Sequence, residues 1–410
     1  MKRTNPSGLA AGPTNNNSRR FLPSRTALAA LALLLFCAGF AQAQEARAAA
    51  QGATVDAATR RQIVDAVLRE LSAAYVFPET AKAMEKAIRE RAARGEYEQI
   101  TDGQEFARKL TEHLQAVSRD KHLRVNFSAE PLPEGTDMGG PVRIRRTPGD
   151  GATPPAGAGG GPVVVRRGPG GGGNVRGLSG DGNAGIEKVE RLEGNVGLLE
   201  FSLFESLSRV GDKISEAMNR LADTDALIID LRGNRGGASG TIRLLMSYFF
   251  DKPTHLNDYY DRVEDRTDSV YTLAEVPGKR YGDKPVYILT SGRTFSAGES
   301  ITYSLKNLKR ATVVGEATGG GAHPVMPRRL TDHFAVMVPA ARYISPVTKT
   351  NWEGVGVKPD VEVPAEQALK VAHLAALKRI SAADPARAAQ LKPVIEKLET
   401  SSAQTAGKKN

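Results

Sequence analysis

The chain has 410 residues, of which 40% are hydrophobic and 25% are charged, a composition typical of globular proteins. Its formal net charge is +10, but five of the basic residues lie in residues 1–43, and residues 141–185 contain six arginines against two aspartates. The rest of the chain is therefore close to neutral, which argues against a nucleic-acid-binding face on a folded element.

Residues 1–43 have the pattern of a secretory signal peptide. Basic residues precede an apolar run over residues 27–40, which ends in the small-x-small sequence Ala41-Gln42-Ala43. Because this run is too short to stay in a membrane, we predict export to the periplasm or the extracellular space, without a stable membrane anchor. The single cysteine, Cys37, lies in this leader, so the mature chain has no thiol for a disulfide, a nucleophile or a metal site.

The region after the leader predicts a helical bundle followed by an unstructured insertion. Residues 44–55 resemble a flexible tail, and residues 56–130 contain three short amphipathic helices and then a strand. Residues 131–185 are dominated by Gly, Pro and Arg, and such a composition cannot bury enough apolar surface to fold. A disordered linker is the favoured interpretation of this insertion, and contact with anionic surfaces is the alternative.

The second half of the chain predicts an α/β domain. In residues 186–365, short apolar runs alternate with helical patterns, which indicates a mixed, largely parallel sheet. Residues 366–410 predict C-terminal helices that end in a frayed tail from residue 401. Strands are predicted at residues 196–201, 226–231, 286–290, 311–314 and 334–338.

Ser296 lies at a predicted strand-to-helix corner. Residues 286–290 form an apolar run, and residues 297–308 carry apolar side chains at helical spacing. A hydroxyl at a helix N-terminus faces free backbone N–H groups, and this environment suits a nucleophile that attacks a carbonyl. The alternative is that Ser296 is only an N-cap. Glu299, one turn later, is expected to compensate the helix dipole rather than to act as a catalytic acid.

A glycine-rich loop follows the predicted strand at residues 226–231. Its glycines can present N–H groups outward, so Gly236 or Gly237 and the N–H of Ala297 or Ser296 are candidate oxyanion donors. The spacing matches neither the Walker motif nor the dinucleotide fingerprint, which argues against nucleotide binding.

A serine nucleophile requires a base, and composition does not choose among the six histidines. His113 and His373 lie in predicted helices, where packing or solvation is the expected role. His323 lies on a glycine turn and could line a site, and a lysine base is a further possibility.

Several motifs together resemble the C-terminal-processing, or tail-specific, serine protease superfamily, over about residues 56–130 and 186–365. The sequence DKHLRV resembles the branch of the interphotoreceptor retinoid-binding protein repeats and the tricorn core. The absence of a PDZ-like domain is a further similarity to this branch. The resemblance implies a crotonase/ClpP-like core domain behind a three-helix bundle. The motifs are residues 120–125 (DKHLRV), 230–237 (DLRGNRGG), 290–299 (TSGRTFSAGE), 314–324 (VGEATGGGAHP) and 351–360 (NWEGVGVKPD).

The resemblance also implies the catalytic roles. Ser296 would be the nucleophile, His122 the base, and Glu353 the orienting acid, acting directly or through an intermediate group. The region about 25 positions after Ser296 contains no lysine, which disfavours the Ser-Lys style, and Lys121 stands where the tricorn pattern has a serine.

We therefore expect an exported serine peptidase for protein or peptide substrates that works through an acyl-enzyme. No metal or organic cofactor is implied. The alternative is a binding module for a hydrophobic ligand, such as a retinoid or fatty acid, on the same fold. The sequence does not indicate the oligomeric state.

Overall fold

The computed structural model describes residues 54–133 and 184–406. The predicted signal peptide 1–43, most of the predicted tail 44–55 and most of the insertion 131–185 lie outside these residues. The helices are α1 (Ala57–Ala74), α2 (Pro78–Ala93), α3 (Gly103–Ser118), α4 (Leu207–Leu221), α5 (Ser239–Ser247), α6 (Ala297–Asn307), α7 (Ala365–Ala383) and α8 (Pro385–Ala406). The strands are β1 (Arg124–Phe127), β2 (Ile186–Leu192), β3 (Val196–Phe201), β4 (Ala226–Asp230), β5 (His255–Asp261), β6 (Arg266–Tyr271), β7 (Val286–Thr290), β8 (Thr312–Gly315), β9 (Val325–Arg329), β10 (Phe334–Pro339), β11 (Ala341–Ile344) and β12 (Val361–Glu362).

Helices α1 to α3 form the predicted N-terminal bundle. Helix α1 begins after Asp56, whose carboxylate accepts the N–H of Thr59 at 2.7 Å. Helix α3 begins after Asp102, which accepts the N–H of Glu105 at 2.7 Å, and α2 begins at Pro78. The apolar faces of the three helices share one core with the inner face of β10, so the bundle is packed against the rest of the protein.

The central sheet has six strands in the order β12-β8-β7-β4-β3-β2. All neighbours are parallel except β2 and β3, which form an antiparallel pair at one edge. Every residue of β4 and β7 is buried, as expected for central strands covered by helices on both faces. The predicted α/β core with a largely parallel sheet is therefore confirmed.

Two smaller antiparallel sheets accompany the central one. Their strand orders are β1-β10-β9 and β11-β5-β6. The sequence patterns did not indicate the hairpin of β5 and β6, because these strands are rich in polar and charged residues such as those of RTDSVY. The first small sheet lies next to two of the histidines considered above, because β1 begins two residues after His122 and β9 begins two residues after His323.

The C-terminal helices α7 and α8 cover one face of the central sheet. Helix α8 continues through Ala406, so residues 401–406 of the predicted frayed tail lie in a helix. None of the helices that the structure describes is long and apolar enough to cross a membrane.

Strand ends position the chemistry-bearing loops. Since β4, β7 and β8 are parallel neighbours, their carboxyl ends lie at the same edge of the sheet. The glycine-rich loop, the Ser296 corner and the glycine turn before His323 start at those three ends, and a site at this edge is common in such folds.

Candidate active site

Ser296 occupies a strained corner between β7 and α6. It is the N-cap of α6 and has φ 54° and ψ −116°, a backbone conformation that residues other than glycine rarely adopt. Gly236 lies directly against it, since a Cβ built on Gly236 would be 2.8 Å from Ser296 Cβ. Strain of this kind costs about 1–3 kcal/mol and is often found at functional sites.

Glu299 holds this corner in place through hydrogen bonds to its buried carboxylate. Its side chain is fully buried and accepts hydrogen bonds from Ser296 N at 2.9 Å, Thr318 Oγ1 at 2.5 Å, Gly320 N at 2.6 Å and Gly321 N at 2.8 Å. Burial raises the pKa of Glu299, and these four donors oppose the rise. Glu299 therefore does more than compensate the helix dipole, because its hydrogen bonds connect the Ser296 corner to the glycine turn.

We expect Glu299→Gln to lower the free energy of unfolding by about 3 kcal/mol, because the new amide NH₂ must face N–H donors in a buried site. The matched control is Glu316→Gln, since the half-buried Glu316 accepts only longer bonds from Gly292 N at 3.3 Å and Ala365 N at 3.1 Å. Urea denaturation measures both variants. If both variants lose the same small amount of unfolding free energy, Glu299 does not hold the Ser296 corner and the glycine turn together.

The glycine turn also holds His122 in place. The His122 ring lies 4.7 Å from the ring of Phe295, the neighbour of Ser296. A Cβ on Gly321 would be 2.3 Å from Phe295 and 2.7 Å from His122, so the turn closes over both rings. Burial lowers the pKa of His122 to about 4, which leaves the imidazole neutral near pH 7 and able to accept a proton. Within the described residues, its Nδ1 has no hydrogen-bond partner.

Glu353 contacts a second histidine. Its Oε2 accepts the N–H of Ala322 at 2.5 Å and lies 3.5 Å from His323 Nδ1. His323 Nδ1 is also 2.7 Å from Asp120 Oδ2, and Asp120 Oδ1 accepts the backbone N–H of His122 at 3.0 Å. Among the described contacts, Glu353 is thus linked to His122 only through His323 and Asp120, and the last link is to the backbone N–H of His122 rather than to its imidazole.

Burial raises the pKa of Glu353 to about 7, and the negative charge of Asp120 adds to the rise while His323 opposes it. A carboxyl group that titrates near neutrality inside a cluster of ionisable side chains is typical of functional sites. Glu353 therefore changes its charge in the range in which most proteins work.

The candidate oxyanion donors differ in availability. Gly236 donates its N–H to Asn234 Oδ1 at 2.9 Å. Gly237 forms a parallel bridge with Phe204, in which Phe204 N donates to Gly236 O and Ala238 N to Phe204 O. Among the described hydrogen bonds, none has the N–H of Gly237 as its donor. Ala297 is the first residue of α6, where the N–H has no intrahelical partner. Gly237 and Ala297 therefore fit the role better than Gly236.

Comparisons with known proteins identify the family. Residues 195–363 match Peptidase family S41, and residues 43–144 match the N-terminal domain of Peptidase S41 in eukaryotic IRBP. The chain belongs to peptidase family S41. This confirms the predicted C-terminal-processing protease superfamily.

Curated relatives of this S41 chain are processing proteases. The carboxy-terminal-processing protease of Bartonella bacilliformis is 27% identical over 180 residues, which are 42% of this chain and 40% of the relative. The chloroplastic carboxyl-terminal-processing peptidase 2 of Arabidopsis thaliana is 28% identical over 179 residues, 41% of this chain and 32% of the relative. The S41 chain thus spans less than half the length of these relatives.

A solved structure supports the fold. The crystal structure of a protein from Parabacteroides merdae matches with a TM-score of 0.51 and 17% identity, over 78% of this chain and 96% of that one. At this identity the likeness shows the architecture alone. It agrees with the predicted combination of helical bundle and α/β core.

The sequence reasoning missed the connection between Asp120, His323 and Glu353 in this S41 chain. The one available signal was that Asp120 precedes His122 by two residues and His323 lies in a glycine turn. One ligand atom of each residue lies within 4.8 Å of the others, a spacing that a metal ion could use. However, Asp120 Oδ2 and His323 Nδ1 are 2.7 Å apart, which is a hydrogen-bond distance. Two ligand atoms of a tetrahedral zinc ion lie about 3.3 Å apart, so this pair is closer than zinc ligands would be.

Other residues that the sequence singled out have contacts that explain their positions. His113 is buried against the Tyr97 hydroxyl, and His373 bonds Glu193 O, as expected for packed helical residues. Lys121 donates to Gly319 O at 2.5 Å, so this lysine holds the glycine turn.

The aromatic residues near the site separate into two clusters. Trp352 is buried, stacks on Tyr343 at 6.2 Å and donates to Gly321 O at 2.8 Å. Phe334 packs instead with Phe106 and Phe127 in the N-terminal core. The three aromatic residues Trp352, Tyr343 and Phe334 therefore do not form one pocket wall.

Proposed function

We propose that this S41 chain is an exported serine peptidase that hydrolyses peptide bonds of protein or peptide substrates through an acyl-enzyme. The observation that carries the proposal is the strained Ser296 corner, packed against Gly236 and held by the buried Glu299. The naming of the relatives as processing proteases supports the same reaction class. The names of these relatives do not favour the alternative of a hydrophobic-ligand module. The leader pattern in residues 1–43 supports export.

In the first half of the reaction, Ser296 Oγ forms a bond to the scissile carbonyl carbon while His122 accepts the hydroxyl proton. The carbonyl oxygen takes up the negative charge, which the N–H groups of Gly237 and Ala297 stabilise. His122 then gives the proton to the leaving amine as the C–N bond breaks. The acyl group remains on Ser296.

In the second half, His122 removes a proton from water, whose oxygen bonds to the acyl carbon. The Ser296 ester bond breaks, the proton returns to Ser296 Oγ, and a carboxylic acid product leaves, which then ionises in water. During both halves His122 carries a transient positive charge. The carboxylates of Asp120 and Glu353 stabilise this charge, because opposite charges favour the protonated imidazole.

Covalent labelling tests the proposal without a known substrate. Incubation of the mature protein with a fluorophosphonate should add one phosphonyl group, detected by intact-mass measurement, because the activated Ser296 Oγ displaces fluoride at phosphorus. Ser296→Ala should abolish the adduct. The matched control is Ser300→Ala, which removes a buried hydroxyl from the same helix and should keep the adduct. Folded wild-type protein without an adduct would overturn the proposal.

A further inference from the structure

We propose that Asp120 and His323 are positioning residues that couple Glu353 to His122, an inference that rests on the proposed peptidase function. They correspond to neither the serine that precedes the histidine in the tricorn pattern nor a lysine base.

Asp120 links two structural elements through one carboxylate. Only 1% of the residue is exposed, and its two oxygens serve different partners. Oδ1 accepts the backbone N–H of His122 at 3.0 Å, and Oδ2 lies 2.7 Å from His323 Nδ1. The Tyr75 hydroxyl, at the end of α1, lies 3.4 Å from Oδ2. The position of the proposed base therefore depends on the side chain of Asp120 and, through it, on His323.

His323 stands between two acids. Its Nδ1 faces Asp120 Oδ2 at 2.7 Å and Glu353 Oε2 at 3.5 Å. Since carboxylate oxygens accept hydrogen bonds, Nδ1 carries the hydrogen. His323 is 2% exposed and packs edge-on against Phe77 at 5.4 Å, so the ring between the two acids has little contact with water. The Nδ1–H group reduces the repulsion between them.

The surroundings of this cluster contain few other ionisable groups. The pKa of Glu353 is affected by the charges of Asp120, His323 and Glu299. The pKa of His122 is affected by the charges of Asp120, His323 and Arg124. Tyr75 faces Asp120, and burial raises the pKa of its hydroxyl, which stays protonated. The charge of Glu353 is therefore governed mainly by its burial, by Asp120 and by His323.

This arrangement predicts a pH signature. The ionised form of Glu353 is lost as the pH falls through about 7, whereas His122 stays neutral until about 4. The activation of Ser296 should therefore decline on the acidic side with a midpoint set by Glu353. Removing the Nδ1–H donor leaves two buried carboxylates facing each other, which raises the pKa of Glu353 and moves the midpoint upward.

Two amide substitutions of His323 distinguish a positioning role from a purely structural role. His323→Asn places an amide N–H near the position of Nδ1, whereas His323→Gln places it near Nε2, away from both acids. The measurement is the rate constant of fluorophosphonate labelling as a function of pH. We expect His323→Asn to keep the wild-type midpoint at a lower rate. We expect His323→Gln to raise the midpoint by about one pH unit and to lower the rate at pH 7 about fivefold.

A second variant gives the opposite sign. Asp120→Asn removes the negative charge that raises the pKa of Glu353, so the midpoint should move down, and this test stands even if His323→Gln does not fold. His113→Gln, at a buried histidine of the bundle, should change stability without moving the midpoint. Equal midpoints in wild type, His323→Gln and Asp120→Asn would overturn this inference alone. Absence of labelling in folded wild type at every pH would overturn the proposed function as well.

Discussion

His122→Ala should lower the rate of peptide hydrolysis at least about 10³-fold, because Ser296 then has no group to accept its proton. The neutral imidazole that burial maintains near pH 7 would be lost, while Gly237, Ala297 and the Ser296 corner would remain. The measurement is the hydrolysis rate of fluorescein-labelled casein together with the rate constant of fluorophosphonate labelling. Both should fall, since both require an activated Ser296.

The control for this prediction is His255→Ala. His255 lies on β5, bonded to Asp258 at 2.8 Å, and is not part of the site. Its loss should leave hydrolysis near the wild-type rate. Because Ser296 and His122 are expected to act as one unit, the double variant should be no slower than Ser296→Ala alone. Additive losses, or a His122→Ala enzyme of near wild-type rate, would contradict the assigned pair.

Local patterns predicted the core of the fold. The strands at Val196–Phe201 and Val286–Thr290 agree with the predicted bounds, because a buried central strand is a continuous apolar run between turn residues. The Ser296 corner was predicted for the same reason, since the strand, the turn and the helix are all encoded within about twenty residues. Its left-handed backbone was not, because φ at a serine depends on how the surrounding loops close.

The acid-histidine cluster could not be predicted from pattern. Asp120 and His323 are 203 positions apart, and their contact results from the antiparallel sheet that places β1 and β9 on either side of β10. Glu299 shows the same limit. Its spacing from Ser296 predicts a helix-terminal acid, but its bonds to the glycine turn depend on the parallel pairing of β7 and β8.

Gly236→Ala should reduce fluorophosphonate labelling at least about 10²-fold, because a displacement of about 1 Å at a reacting group has an effect of this size. Gly236 has φ 106°, and the added Cβ would lie 2.8 Å from Ser296 Cβ and 3.3 Å from Ala297 N. The clash therefore affects the proposed nucleophile and a proposed oxyanion donor at once. A loss of about 1–3 kcal/mol in the free energy of unfolding should accompany it, since alanine is strained at this φ.

Gly233→Ala is the matched control in the same loop. A Cβ on Gly233 meets no atom within 4 Å, and its φ lies outside the left-handed region. This variant should keep both labelling and stability close to wild type. Titration with urea separates the two effects of Gly236→Ala, because labelling is measured well below the unfolding transition. Wild-type labelling by folded Gly236→Ala would mean that the corner tolerates displacement and that its strained geometry is not required for the reactivity of Ser296.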